Sequence, residues 1–117
     1  MGIVDTRELI EELAVLGVDD WQDGAAVDAV LDDADRSRAR AIFDLLWEIG
    51  DEAPYGVTVV PDAEFVDYAR ELAEDVGAVP EGGAWPTYCI DWEWAARELR
   101  MDYMSAEFDG VAVWFRA

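Results

Sequence analysis

MSAEFDGVAVWF, residues Met104 to Phe115, is the stretch whose reading decides the fold. Two apolar runs of alternating pattern flank Asp109-Gly110, and that dipeptide favours a two-residue type I′ turn because both central positions need positive φ. Such a turn pairs Phe108 with Val111, Ala106 with Val113 and Met104 with Phe115 on one face, leaving Glu107 and Trp114 on the other. A C-terminal β-hairpin is therefore expected, and everything upstream must supply what it packs against.

Most of what lies upstream reads as helix. Asp91 is placed to cap a helix over Trp92–Arg100, with Glu93 and Arg97 in the favourable i,i+4 order. Asp62–Val76 is the clearest helical segment. At 100° per residue, Phe65, Val66, Ala69, Leu72, Ala73 and Val76 share an apolar arc of about 120°. Glu64, Asp67, Glu71, Glu74 and Asp75 share an arc of about 100° on another side, and Gly77 offers a left-handed stop. Between these helices, residues 78–88 (AVPEGGAWPTY) read as a loop. GVTVV, Gly56–Val60, is β-branched and bracketed by Gly and Pro, which predicts a strand. Nearer the N-terminus, Asp5 or Thr6 can cap a helix carrying Leu9, Ile10, Leu13 and Leu16 on one side, ended by Gly17. A short helix is expected over Gly24–Leu31. A longer one over Asp35–Ile49 has Ile42, Leu45, Leu46 and Ile49 as its core face. The fold class is thus α+β: a small acidic domain of amphipathic helices with a short strand and a C-terminal hairpin. Residues 1–52 form a helical N-terminal region and 53–117 a second region. Chain length alone predicts a body roughly 35 Å across.

Charge bounds the function. The chain has 28 acids against 8 arginines, no lysine and no histidine, for a formal net of −20. Twenty charges correspond to about 34 Å of duplex DNA, so the charge per unit length approaches that of DNA itself. Self-repulsion on this scale opposes folding. Direct binding to nucleic acid or to an anionic membrane surface is not expected, since both rely on Lys and Arg; a basic, nucleic-acid-binding protein is the favoured partner. Acid excess without lysine is also seen in halophilic proteins. Their acids cover every exposed face, whereas a mimic of DNA concentrates them on stripes. A hydrophobic content of 53% rules out a disordered acidic tail.

Enzymatic chemistry finds little support. Without histidine there is no imidazole base, and without lysine no Schiff base or P-loop. No catalytic residue, cofactor or metal is expected. Asp33, Asp35, Ser37 and Asp44 mimic part of a calcium-loop spacing, but Arg38 stands where glycine is needed, so chance spacing is the reading. Arg36, Arg38 and Arg40 are read as sources of internal ion pairs. Cys89 is read as a buried small hydrophobe. Trp92 and Trp94, two positions apart, cannot both face one core, which assigns one of them to another domain or subunit. An acidic N-terminus, short apolar runs and a lone cysteine fit a cytoplasmic protein.

The run CIDWEWAARELRMDYMSAEFDGVAVWFR, residues 89–116, resembles the C-terminal signature of the ArdA antirestriction proteins. In that family an ID(W/Y)E-A-ARDL helix start is followed by a short strand, a DG turn and a terminal aromatic-Arg strand. EFVDYARELAEDVGAVPEG, residues 64–82, is similar to the acidic helix and loop of the same family. The resemblance covers Ala53–Arg116, and the first 50 residues are loosely similar to the family's middle region. Family members are longer, with a further N-terminal domain. Gly82-Gly83 and Trp85-Pro86 fit the family's antirestriction motif only approximately. The resemblance implies a homodimeric DNA mimic, encoded by a phage or mobile element. It would act in the host cytoplasm by occupying the DNA-binding groove of a Type I restriction–modification enzyme. The alternative is an acidic binding module or chaperone for a basic protein, without duplex mimicry. Candidate phosphate surrogates are Asp62, Glu64, Asp67, Glu71, Glu74, Asp75, Asp91, Glu93, Asp102, Glu107 and Asp109. Candidate dimer contacts are Val79, Trp85, Tyr88, Trp92 and Trp94.

Overall fold

The computed structural model describes residues 2–116 and is mixed α+β. In chain order the elements are β1 (Val4–Asp5), α1 (Thr6–Val15), α2 (Gly24–Asp28), α3 (Asp33–Ile49), β2 (Thr58–Pro61), α4 (Phe65–Asp75), α5 (Trp92–Arg100), β3 (Met104–Phe108) and β4 (Val111–Phe115), with single 3₁₀ turns between. The strands make one antiparallel sheet in the order β1-β2-β4-β3. The hairpin adopts the expected register, with Phe108 opposite Val111, Ala106 opposite Val113 and Met104 opposite Phe115. Asp109 and Gly110 turn it with φ of 52° and 79°, as a type I′ turn requires.

Each face of the sheet carries a core, although Ser105, Glu107 and Ala112 stay exposed on the side of Trp114. Val59 lies opposite Phe115, and both, with Val113 and Phe108, face a larger core built with Leu9, Leu13, Ile42, Leu45 and Leu46 from α1 and α3. One residue on, Val60 lies opposite Trp114, and these face a smaller core around Phe65, Ala69 and Ala96 from α4 and α5. The period-2 pleat is what sends neighbouring residues to different cores. The larger core thus draws on residues from both sides of Glu52.

Two small cores on opposite faces of a narrow sheet make the body long. It measures 54 × 25 × 23 Å, which corrects the expectation of a body about 35 Å across. Other details differ at element ends. Asp5 caps α1 and pairs with Glu8 in a capping box. The third helix begins at Asp33, capped by Asp32, rather than at Asp35. The second stops at Asp28. Asp62–Glu64 is a 3₁₀ turn leading into α4. The two-residue β1 is an addition, and its pairing with Thr58 and Val59 extends the sheet by one strand.

Inter-element polar contacts hold the α1 end of the structure. The buried Thr6 hydroxyl donates to the Ala53 carbonyl at 2.7 Å and accepts from the Val57 N–H at 2.8 Å. Arg38 from α3 holds Glu12 of α1 through two hydrogen bonds, at 2.6 and 3.0 Å. That guanidinium keeps the Glu12 carboxyl below the ordinary glutamate range.

Candidate functional site

The structure leaves most acids without a cation. Among the described residues, five arginines form ion pairs: Arg7 with Asp5, Arg36 with Asp33, Arg38 with Glu12 and Asp109, Arg40 with Asp28 and Asp44, and Arg100 with Asp62. Seven acids are engaged in this way, so 21 of the 28 have no arginine within 4.0 Å. The Arg36, Arg38 and Arg40 cluster therefore supplies internal pairs, as its spacing predicts. The calcium-like spacing from Asp33 to Asp44 lies wholly inside α3, whose helical backbone cannot wrap an ion as a loop does.

The α4 stripe reaches the surface as its periodicity demands. Asp67, Glu71 and Asp75 are exposed, while Glu64 and Glu74 are half-buried. None of the five forms an ion pair among the described residues. From Glu64 to Asp75 the row spans about 16 Å at 1.5 Å per residue. Glu93, Asp102 and Glu107 are likewise exposed and unpaired among the described residues.

Three candidate acids carry structural contacts as well. Asp62 accepts from the Trp114 indole at 2.9 Å and sits 3.3 Å from Arg100, whose guanidinium lies over the Phe65 ring at 4.7 Å. Asp91 accepts from the Trp94 N–H at 3.1 Å and caps α5. Asp109 occupies the hairpin turn, 3.9 Å from Arg38. Their carboxylates are less free to meet a partner than those of the α4 stripe. The expected i,i+4 link from Glu93 does not form among the described residues; Arg97 lies over the Trp94 ring instead, at 5.4 Å.

The aromatic candidates separate. Trp85, Tyr88 and Trp94 are exposed at 71%, 72% and 56%, whereas Val79 and Trp92 are half-buried. Trp92 and Trp94 point about 200° apart around α5, so the helix period divides them as expected. Cys89 is exposed, which corrects the expectation of a buried side chain. It ends a 3₁₀ turn in the segment between α4 and α5, where Thr87 is the buried residue.

Sequence reasoning placed its candidates in the second half and passed over the first. Residues 1–57 hold fifteen acids and four arginines, a net of −11, and residues 58–103 hold eleven acids and three arginines, a net of −8. Simple counting along the chain would have found this. One mostly exposed stretch is poor in acid by contrast: residues 78–90 contain Glu81 alone.

No protein family, curated protein or solved structure matches this chain in sequence or fold comparison. Among the described residues no helix is long and apolar enough to cross a membrane.

Proposed function

We propose that this chain is a DNA mimic of the antirestriction type, which occupies the DNA-binding groove of a Type I restriction–modification enzyme with carboxylates in place of phosphates. The observation that carries this reading is the set of 21 acids without an arginine partner on a body 54 Å long. That length matches about 16 base pairs at roughly 3.4 Å per step, and the net charge, about one per 2.7 Å against about one per 1.7 Å for duplex, is sparser than the DNA-like density expected of a 35 Å body. Counterions released from the acids on binding would contribute affinity, as they do for DNA. The ArdA resemblance of residues 53–116 is what supports this target class, and with it action in the cytoplasm of a phage- or element-bearing host.

Uneven distribution favours mimicry over general acidity. A halophilic surface would carry acids on every exposed face, yet residues 78–90 are mostly exposed and hold Glu81 as their one acid. An adaptor for a basic protein would present one concave acidic pocket. The large concavity between α1, α2 and α3, about 470 Å³, is instead lined mainly by Leu16, Ala26, Ala29 and Val30, with Asp32 and Asp35 as its acids. The acid-poor segment bearing Trp85 and Tyr88, with Trp94, is the surface we assign to a homodimer contact, since an interface between −20 chains must avoid carboxylates.

The test is competition with DNA for the target enzyme. The variant Glu64→Gln, Asp67→Asn, Glu71→Gln, Asp75→Asn removes four charges at constant size. It should fold at least as well as the parent, because like charges three and four apart are destabilising. Its affinity for the enzyme should fall, and the dependence of log affinity on log salt should flatten. Undiminished inhibition of DNA binding by the variant would remove α4 as a phosphate surrogate.

A further inference from the structure

The smaller core fastens residues 62–103 to the sheet, and it is slight. It buries Val60, Phe65, Ala69 and Ala96, against fifteen buried residues in the larger core. The layer formed by α4 and α5 is therefore held by far less apolar burial than α1 and α3 are. Packing within the layer is also incomplete. Ala96 is the one fully buried side chain of α5 among the described residues. On α4, Leu72 and Ala73 stay half-buried and Val76 is 69% exposed.

Topology leaves this layer free to lift. It departs from β2 and returns at β3, and both of those strands pair with β4, so no strand pairing runs through residues 62–103. Among the described residues, its side-chain hydrogen bonds and ion pairs stay inside the segment with one exception, the Trp114 indole donating to Asp62 at 2.9 Å. Arg100 sits beside that bond. It pairs with Asp62 and lies over the Phe65 ring and, at 5.6 Å, over the Trp114 ring, while Phe65 meets Trp114 at 5.9 Å. The Arg100 Nε is buried without a partner among the described residues, so docking strips it of hydration that nothing replaces.

Charge opposes docking as well. Residues 58–103 carry a net of −8 and residues 1–57 a net of −11, and Asp62 with Arg100 is the one ion pair of the layer among the described residues. We infer that the α4–α5 layer opens and closes as a unit on an intact sheet, with cations setting the balance. Self-repulsion opens it at low ionic strength, and salt or the basic surface of a partner closes it. The partner's part in this rests on the reading of the chain as a ligand for basic proteins. The α4 stripe travels with the layer, so closure on the partner fixes that stripe relative to the acids of α1 and α3.

Native-state hydrogen exchange read by mass spectrometry tests both halves. At low salt, amides of α4 and α5 should exchange at least about 100-fold faster than those of α3 and β4, and physiological salt should shrink that gap at least about threefold. Trp114→Phe removes the indole N–H from the fastening. It should speed exchange in α4 and α5 at least about tenfold and leave α3 within about twofold of the parent. Ile42→Val, in the larger core, should do the reverse, speeding α3 and leaving α4 and α5 unchanged. Decalysine, as the basic probe, should slow exchange in α4 and α5 at least about tenfold at low salt, with α3 less affected. If α3, α4 and α5 exchange at one rate and shift together in both variants, the chain is a single cooperative unit. That result would overturn the proposal and leave the phosphate-surrogate reading standing. Separate opening that neither salt nor decalysine alters would overturn the control by cations, and with it the reading of this layer as a surface for basic partners.

Discussion

Replacing Thr6 by valine keeps the shape of the side chain and deletes one hydroxyl, which makes it a sharp test of how α1 is anchored. That hydroxyl is fully buried and bridges the Ala53 carbonyl and the Val57 N–H. The Ala53 carbonyl keeps a second partner, the Gly56 N–H at 3.3 Å. The Val57 N–H does not, and Val57 is only 6% exposed. Two lost hydrogen bonds cost about 1 kcal/mol each, and an orphaned buried N–H adds about 1 kcal/mol more, so the variant should lose about 2–4 kcal/mol. For a domain of this size that is a fall in Tm of roughly 8–16 °C. Thr6→Ser, which keeps the hydroxyl, should stay within about 1 kcal/mol of the parent. Urea unfolding followed by circular dichroism and by tryptophan fluorescence measures both variants. A Thr6→Val protein within about 0.5 kcal/mol of the parent would show that the Thr6 bridge is not what ties α1 to the segment before β2.

Further outcomes follow from the charge. Because Arg38 lowers the Glu12 pKa in the folded state, the pair's contribution is present above the ordinary glutamate value of 4.5 and is lost as pH falls through the lowered one. Glu12→Gln should therefore cost about 0.5–1 kcal/mol at neutral pH, after allowance for solvent screening of a partly exposed pair, and the cost should shrink below about pH 4.5 in parallel denaturation curves. Raising salt from low to physiological strength should increase Tm through screening, as differential scanning calorimetry would record; a Tm that did not move would mean the acids are already balanced within the fold.

The parts of the fold legible in the sequence are those set by local rules. Asp109-Gly110 dictated the hairpin register, and Ile42, Leu45, Leu46 and Ile49 announced the buried face of α3, all four of which are buried. What escaped was set by long-range contacts. Val4–Asp5 is too short to carry a period-2 pattern, and it is a strand only because Thr58 and Val59 pair with it. The apolar arc of α4 was read correctly as a stripe, but nothing local says that α5 would cover only part of it. Cys89 was misplaced because its hydrophobicity was weighed without the geometry of the segment that presents it. The exposed acids of α4 were legible from spacing alone. The structural duties of Asp62 depend on Trp114 and Arg100, which lie far along the chain.

The position of β4 also sets the order of events during synthesis. It is an interior strand, hydrogen-bonded to both β2 and β3, and it gives Val113 and Phe115 to one core and Trp114 to the other. Its pairing with β2 joins residues about 55 positions apart. Helices α1 to α5 can form locally as the chain emerges from the ribosome, but neither core closes until residues 111–115 are free to insert. Until then the nascent chain is a string of acidic helices with uncovered apolar faces, kept apart by their own repulsion. The charge that burdens the finished fold protects the unfinished one from aggregating.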